Sequence, residues 1–140
     1  MKQRMSSRAK HLVRHDGSRG DRGAAAVEFA VLTLAVLALV FTAIQAGLYF
    51  HARKVAQSAA RQGVEAGRQF GANEGHGVAQ AQTFLNRFGS SVQDASVSSA
   101  GSTAEEIRIT VRGSVATLVP GLTLDIAQHA DAPVERWTNP

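Results

Sequence analysis

Cysteine is absent from the chain, which excludes a disulfide scaffold and any thiol-based catalysis. Charge is absent from residues 29–50. At about 1.5 Å of rise per residue those positions span about 33 Å as a helix, enough to cross a hydrocarbon core of roughly 30 Å. Glu28 stands at the edge of this run. A carboxylate at the mouth of an apolar helix costs on the order of a few kcal/mol to bury, so its presence asks for a reason.

The first 22 residues are short of aromatics and rich in positive charge: seven Lys and Arg against Asp16 and Asp21, a net of +5. The remainder carries eight basic against nine acidic residues, so the formal net charge of +4 belongs wholly to this leader. A basic chain raises nucleic-acid binding as a hypothesis. Here the charge is confined to a short tail without interleaved aromatics, and no nucleic-acid partner is expected. A topogenic tail held in the cytoplasm accounts for it better. Arg53, Lys54, Arg61 and Arg68 follow the apolar run; seven basic residues before against four after still orient the N-terminus inwards. Residues 51–140 are then exported and are enough for one small domain with a marginal core.

The leader reads as disordered, with a helix starting near Ala24. Beyond Phe50 the helical period continues: Ala52, Val55, Ala56, Ala59, Ala60, Gly63, Val64, Ala66, Gly67 and Phe70 share one half of the wheel, and polar residues take the other. The pattern predicts an amphipathic stalk to about Phe70 whose small residues permit close approach of another element. For Gly63 and Gly67 the competing reading is a simple loss of helix propensity; Gly71 is expected as the C-cap. Residues 71–77 are expected as a glycine loop. A second helix is expected over residues 78–88, with Ala81, Phe84, Leu85 and Phe88 facing a core. A weak strand over 92–99 and a clean alternation over 106–112 follow. After a reversal at Pro120-Gly121, Leu122, Leu124 and Ile126 alternate again. The fold class is α+β: a long N-terminal transmembrane and amphipathic helix packed on a small antiparallel sheet.

Recognisable catalytic and metal motifs are missing. His11, His15, His51, His76 and His129 form no HExxH pattern, and the loop Asn73-Glu74-Gly75-His76 has too few carboxylates for a calcium site. There is no Gly-x-Ser-x-Gly elbow and no phosphate-cradling Gly-x-x-x-x-Gly-Lys. The expectation is a protein that is not an enzyme, with no catalytic residues, no metal and no cofactor.

Gly23 followed five positions later by Glu28, with Phe29 opening the apolar helix, resembles the class III leader of type IV pilins and pseudopilins. The run Ala26-Val27-Glu28-Phe29-Ala30 is similar to that of TadE-like minor pilins of tight-adherence, Flp-type systems. The segments Leu118-Val119-Pro120-Gly121-Leu122 and Ala132-Pro133-Val134-Glu135 also resemble stretches of that family. The small Flp major pilins carry Glu-Tyr in place of Glu-Phe and end soon after their helix. The resemblance implies a prepilin peptidase that cuts between Gly23 and Ala24 on the cytoplasmic face. It implies that Glu28, fifth in the mature chain, meets the N-terminal amine of a neighbouring subunit, with Gly23 and Ala24 as the cleavage site and Glu28 and Phe29 as the assembly and recognition residues. The mature chain would begin at Ala24, where type IVa pilins carry phenylalanine.

An ordinary signal peptide fits poorly: cuts after Ala46 or Ala43 leave Ile44 or Phe41 at −3, and a cut after Ala38, with Val36 at −3, leaves a very short apolar core. A plain single-pass anchor has the same topology without needing Glu28. The expected organisation is therefore a cleaved cytoplasmic leader (residues 1–23), a transmembrane helix (24–50) and an exported α+β domain (51–140) in the inner membrane, reaching the pilus or cell surface. The expected partners are the prepilin peptidase, other pilin subunits, a membrane assembly platform and the lipid bilayer. The alternative is a membrane-anchored envelope accessory domain that never polymerises.

Overall fold

The computed structural model describes residues 18–69 and 71–135, the side chains of 18–22 excepted. In chain order it contains α1 (Ser18–Gly67), α2 (Glu74–Phe88), a 3-10 turn (Gly89–Ser91), β1 (Gln93–Ser98), β2 (Glu106–Val115) and β3 (Leu124–Pro133). The strands form one antiparallel sheet in the order β1-β2-β3. The fold is the expected α+β arrangement. The chain divides into a unit ending at Leu39 and a unit beginning at Val40. Residues 1–17 of the expected leader, and Phe70 on the expected stalk face, lie outside the described residues.

Helix α1 begins before Ala24 and takes in Gly20 and Gly23. Two glycines cost about 1 kcal/mol each against alanine, but adding residues to an existing helix avoids the nucleation penalty that a separate helix would meet. Its other end falls at Gly67. Gly71, expected as the C-cap, sits four residues further on at φ 79° in the turn towards α2.

In the second unit the small-residue face of α1 is the floor of the core. Ala52, Ala56, Ala59 and Ala60 are fully buried with Leu85, Val92, Val111, Val115 and Ile126. Further along, Val64 packs with Ala81, Ile107 and Ile109. The β2 residues in these clusters run from Val115 to Ile107 as α1 runs from Ala52 to Val64, so helix and strand are antiparallel. Full burial of Ile109 and Val111 contributes about 1.5–3 kcal/mol each.

The two readings of Gly63 and Gly67 separate here. A Cβ on Gly63 would lie 2.8 Å from the Gly77 carbonyl oxygen, and one on Gly77 would lie 2.8 Å from the Gly63 carbonyl oxygen. At Gly67 a Cβ would run into Cδ1 of Ile107. These glycines are there for close approach, and Gly77 is their partner on α2.

Helix α2 starts four residues earlier than the apolar stripe indicated. The Asn73 side chain accepts from the His76 N–H (3.1 Å) and His76 Nδ1 accepts from the Asn73 N–H (3.2 Å), a reciprocal cap that satisfies two otherwise orphaned donors. The glycine-rich stretch after Asn73 is thus a helix start. Ala81 and Leu85 are buried as expected, whereas Phe88 is mostly exposed and its ring lies 4.9 Å from that of Phe84.

Strand β2 continues past Arg112 to Val115 and β3 past Ile126 to Pro133. Their ten-residue ladder pairs Glu106 with Pro133 at one end and Val115 with Leu124 at the other. The sequence alternation fades where Gly113 and Gln128 interrupt the apolar positions, but the ladder supplies hydrogen bonds regardless of side chain. Leu122, expected on the strand, lies exposed in the connecting loop. The reversal at Pro120-Gly121 is present: Gly121 has φ 82° and the Leu122 N–H donates to the Val119 carbonyl (3.2 Å).

At the far end of α1 the Glu135 N–H donates to the Arg68 carbonyl (3.0 Å), and the Arg68 guanidinium meets Glu65 (2.8 Å) and Glu135 (3.5 Å). The hydrogen bond from Arg68 holds the Glu65 carboxyl below its ordinary value. Its contribution is therefore present above the unfolded carboxylate pKa and lost as pH falls through the lowered folded value. It is small, because the pair is solvent-exposed.

Replacing Gly63 by leucine should destabilise the detergent-solubilised full chain by about 1–3 kcal/mol or more, read as a lower unfolding midpoint, and Ile109→Asp should abolish the cooperative transition. Gly47→Ala, where a Cβ meets nothing within 4 Å, should leave the midpoint unchanged or raise it. A tolerated Gly63→Leu would refute the close approach of α1 and α2.

Candidate membrane-anchoring and assembly segment

Every residue from Gly23 to Ile44 is exposed, although the stretch is apolar enough to make Gly23–Gly67 a candidate membrane span. Phe29 is 72% exposed and Leu39 likewise 72%. In water such a surface has no compensation; in lipid, or among other apolar helices, it needs none. The single N-terminal apolar helix fits a membrane anchor.

The four residues singled out in the sequence all lie on α1. Among the described residues, a Cβ at Gly23 would meet nothing within 4 Å. Ala24 and Glu28 are spaced i, i+4 and share one helix face, with Phe29 beside them. Glu28 is exposed, and among the described residues it joins no ion pair. The chemistry of this segment is that of a carboxylate held at the end of an apolar surface, suited to receive a cation or a hydrogen-bond donor. The Thr33 hydroxyl donates to the Phe29 carbonyl (2.8 Å), which satisfies its polarity within the helix.

Sequence reasoning missed Gln45. It is the one carboxamide in residues 29–50, and a polar side chain inside an apolar run is itself a signal. Its Nε2 donates to the Ala116 carbonyl (3.3 Å) and its Oε1 accepts from the Leu118 N–H (2.9 Å). Both contacts are to the loop between β2 and β3.

On the exposed face of the sheet, Arg108 donates to Asp131 across the β2-β3 pair (2.6 Å). That hydrogen bond raises the guanidinium pKa above its ordinary value. The pair bridges β2 and β3 at a position already set by their backbone ladder, far from Gly23 and Glu28 in sequence.

Residues 23–70 match the family model of TadE-like proteins, which bears out the resemblance to that family. The matched stretch is about a third of the chain, and the C-terminal likenesses at 118–122 and 132–135 fall outside it. The match implies a protein related to the Tad pilus, with a membrane-anchor-like helix. None of the curated proteins and none of the solved structures matches the chain.

In cells the full chain should sediment with membranes and resist carbonate extraction. Leu39→Arg should shift it towards the extractable fraction, since a central arginine costs about 2.5–3.5 kcal/mol on insertion scales. Ser96→Arg, on an exposed strand position, should not. Equal extraction of all three proteins would refute the anchor.

Proposed function

From the TadE-like match over residues 23–70, we propose that the chain is a non-enzymatic minor pilin or pseudopilin of a tight-adherence, Flp-type pilus. The basic leader stays in the cytoplasm, the apolar part of α1 crosses the inner membrane, and the α+β domain is exported. A prepilin peptidase removes the leader between Gly23 and Ala24. Glycine favours this cut in two ways: it presents no side chain at the scissile bond, and its poor helix propensity lowers the cost of local unwinding.

The observation that carries this reading is the exposed Glu28 carboxylate at the mouth of an exposed apolar helix. Cleavage at Gly23 creates an ammonium on Ala24. When apolar helices bundle, an ammonium on one subunit and a carboxylate on its neighbour neutralise each other, and that pairing selects one axial register. Leaving either unmatched in the bundle would cost several kcal/mol. Lipid, other pilin subunits and a membrane assembly platform are then the partners of this helix. A plain anchor gains nothing from a carboxylate at this position.

Glu28→Gln keeps size and polarity but removes the charge. Expressed as the sole copy, the variant should still fractionate with membranes and still lose its leader, while surface pilus yield falls. Glu28→Ala should behave alike, because the missing element is charge. Normal pili with both variants would remove the role given to Glu28, and normal pili after deletion of the whole gene would favour a non-polymerising accessory protein.

A further inference from the structure

The loop between β2 and β3 combines three features that the pilin reading leaves unused. Residues 113–124 carry no charge, between Arg112 and Asp125. Leu118, Val119 and Leu122 are 45%, 54% and 44% exposed. The loop's backbone is tied to its own side chains and to α1: the Thr117 hydroxyl donates towards the Leu122 carbonyl (2.6 Å) and lies 3.1 Å from that of Val119, while Gln45 takes the Ala116 carbonyl and the Leu118 N–H. An exposed loop in water has no need for such internal pairing; one entering an apolar phase does.

The depth of this loop follows from its attachment to Gln45. The aromatic residues Tyr49 and Phe50, with ring centroids 5.8 Å apart, stand immediately before His51, Arg53 and Lys54, a sequence suited to the membrane–water boundary. Gln45 lies one helical turn before Tyr49, about 6 Å nearer the middle of the apolar run. Phe41, a further turn away on the same helix face, is exposed. The Gln45 contacts therefore hold the loop at a level where α1 itself is surrounded by lipid. The β1-β2 turn is at the opposite end of β2, a ten-residue strand, about 30 Å away at roughly 3.4 Å per residue.

The geometry points to the β2-β3 loop as a second membrane contact, with Leu118, Val119 and Leu122 seated at the headgroup–acyl boundary of the outer leaflet beside α1. This rests on the reading that α1 spans the bilayer. The loop then fixes the tilt and rotation of the exported domain on the membrane before assembly, and leaving the membrane for a filament requires withdrawing those three side chains from lipid. A docking surface for a second copy would also be apolar. Lipid is favoured by continuity with the span through Gln45 and by the internal pairing of the loop backbone.

The absence of cysteine makes the test direct. Full-length single-cysteine variants Leu34→Cys, Val119→Cys and Ala100→Cys carry a nitroxide label and are reconstituted into phosphatidylethanolamine–phosphatidylglycerol vesicles. Accessibility is read with oxygen, which partitions into lipid, and with a water-soluble nickel chelate. Leu34 should be deep, with high oxygen and negligible nickel accessibility. Val119 should favour oxygen over nickel several-fold, and Ala100, in the distal turn, should favour nickel. A Val119 label as open to nickel as Ala100, with Leu34 still deep, would overturn the loop contact and leave the span intact. Low accessibility of Val119 to both reagents, relieved on dilution with lipid, would overturn it in favour of a contact between copies. Nickel access at Leu34 would overturn the spanning helix and the loop contact together.

Discussion

The close seating of other elements on the small-residue face of α1 is the constraint from which the rest of the second unit follows. Where Gly63 and Gly77 approach, each would place a Cβ 2.8 Å from the other's carbonyl oxygen, so the distance between the two helices is set by backbone and not by side chains. Alanine at 52, 56, 59 and 60 continues that low profile towards the N-terminus. A sheet of three strands has little volume to offer a core, and larger residues on the helix would lift it away from Ile109 and Val111. Small residues on the helix and β-branched ones on β2 are thus complementary parts of one packing solution.

Helix α1 serves two different solvents. From Gly23 to Ile44 its surface is exposed all round, which suits lipid or a helix bundle; from Ala52 onwards one face is buried against the domain. Gln45 stands between these regimes and gives its amide to the β2-β3 loop. Glu28 stands at the other end of the apolar run. A helix of this kind can exchange a lipid environment for neighbouring helices without altering the domain, because among the described residues neither core cluster includes any of residues 23–44. The electrostatic pairing proposed for Glu28 then supplies what dispersion contacts among similar apolar helices lack, a preference for one register.

Much of this was legible in the sequence, for identifiable reasons. The stalk face from Ala52 to Gly67 is legible because a period of 3.6 residues sustained over about four turns leaves few alternatives, and β2 because Ile107, Ile109 and Val111 alternate without interruption. The start of α2 was not, since glycine density outweighed the Asn73 to His76 cap, which uses histidine where glutamate or glutamine is usual. The later halves of β2 and β3 were hidden because Gly113 and Gln128 break the alternation while the ladder continues. Leu122 continues the alternation of Leu124 and Ile126 yet lies in the loop, since a local pattern cannot see the contacts that Gln45 makes with Ala116 and Leu118 from more than 70 residues away. At the candidate site, the motif at Gly23 and Glu28 needed only local spacing and was legible, whereas Gln45 depends on a tertiary contact.

Removal of the leader separates the proposed pilin from a plain membrane anchor. Intact mass together with N-terminal sequencing of protein extracted from membranes, in a host whose prepilin peptidase is active, tests it most directly. The account predicts a mature chain beginning at Ala24. A chain that retains Met1, or one cut within the apolar run near Ala46, would contradict it.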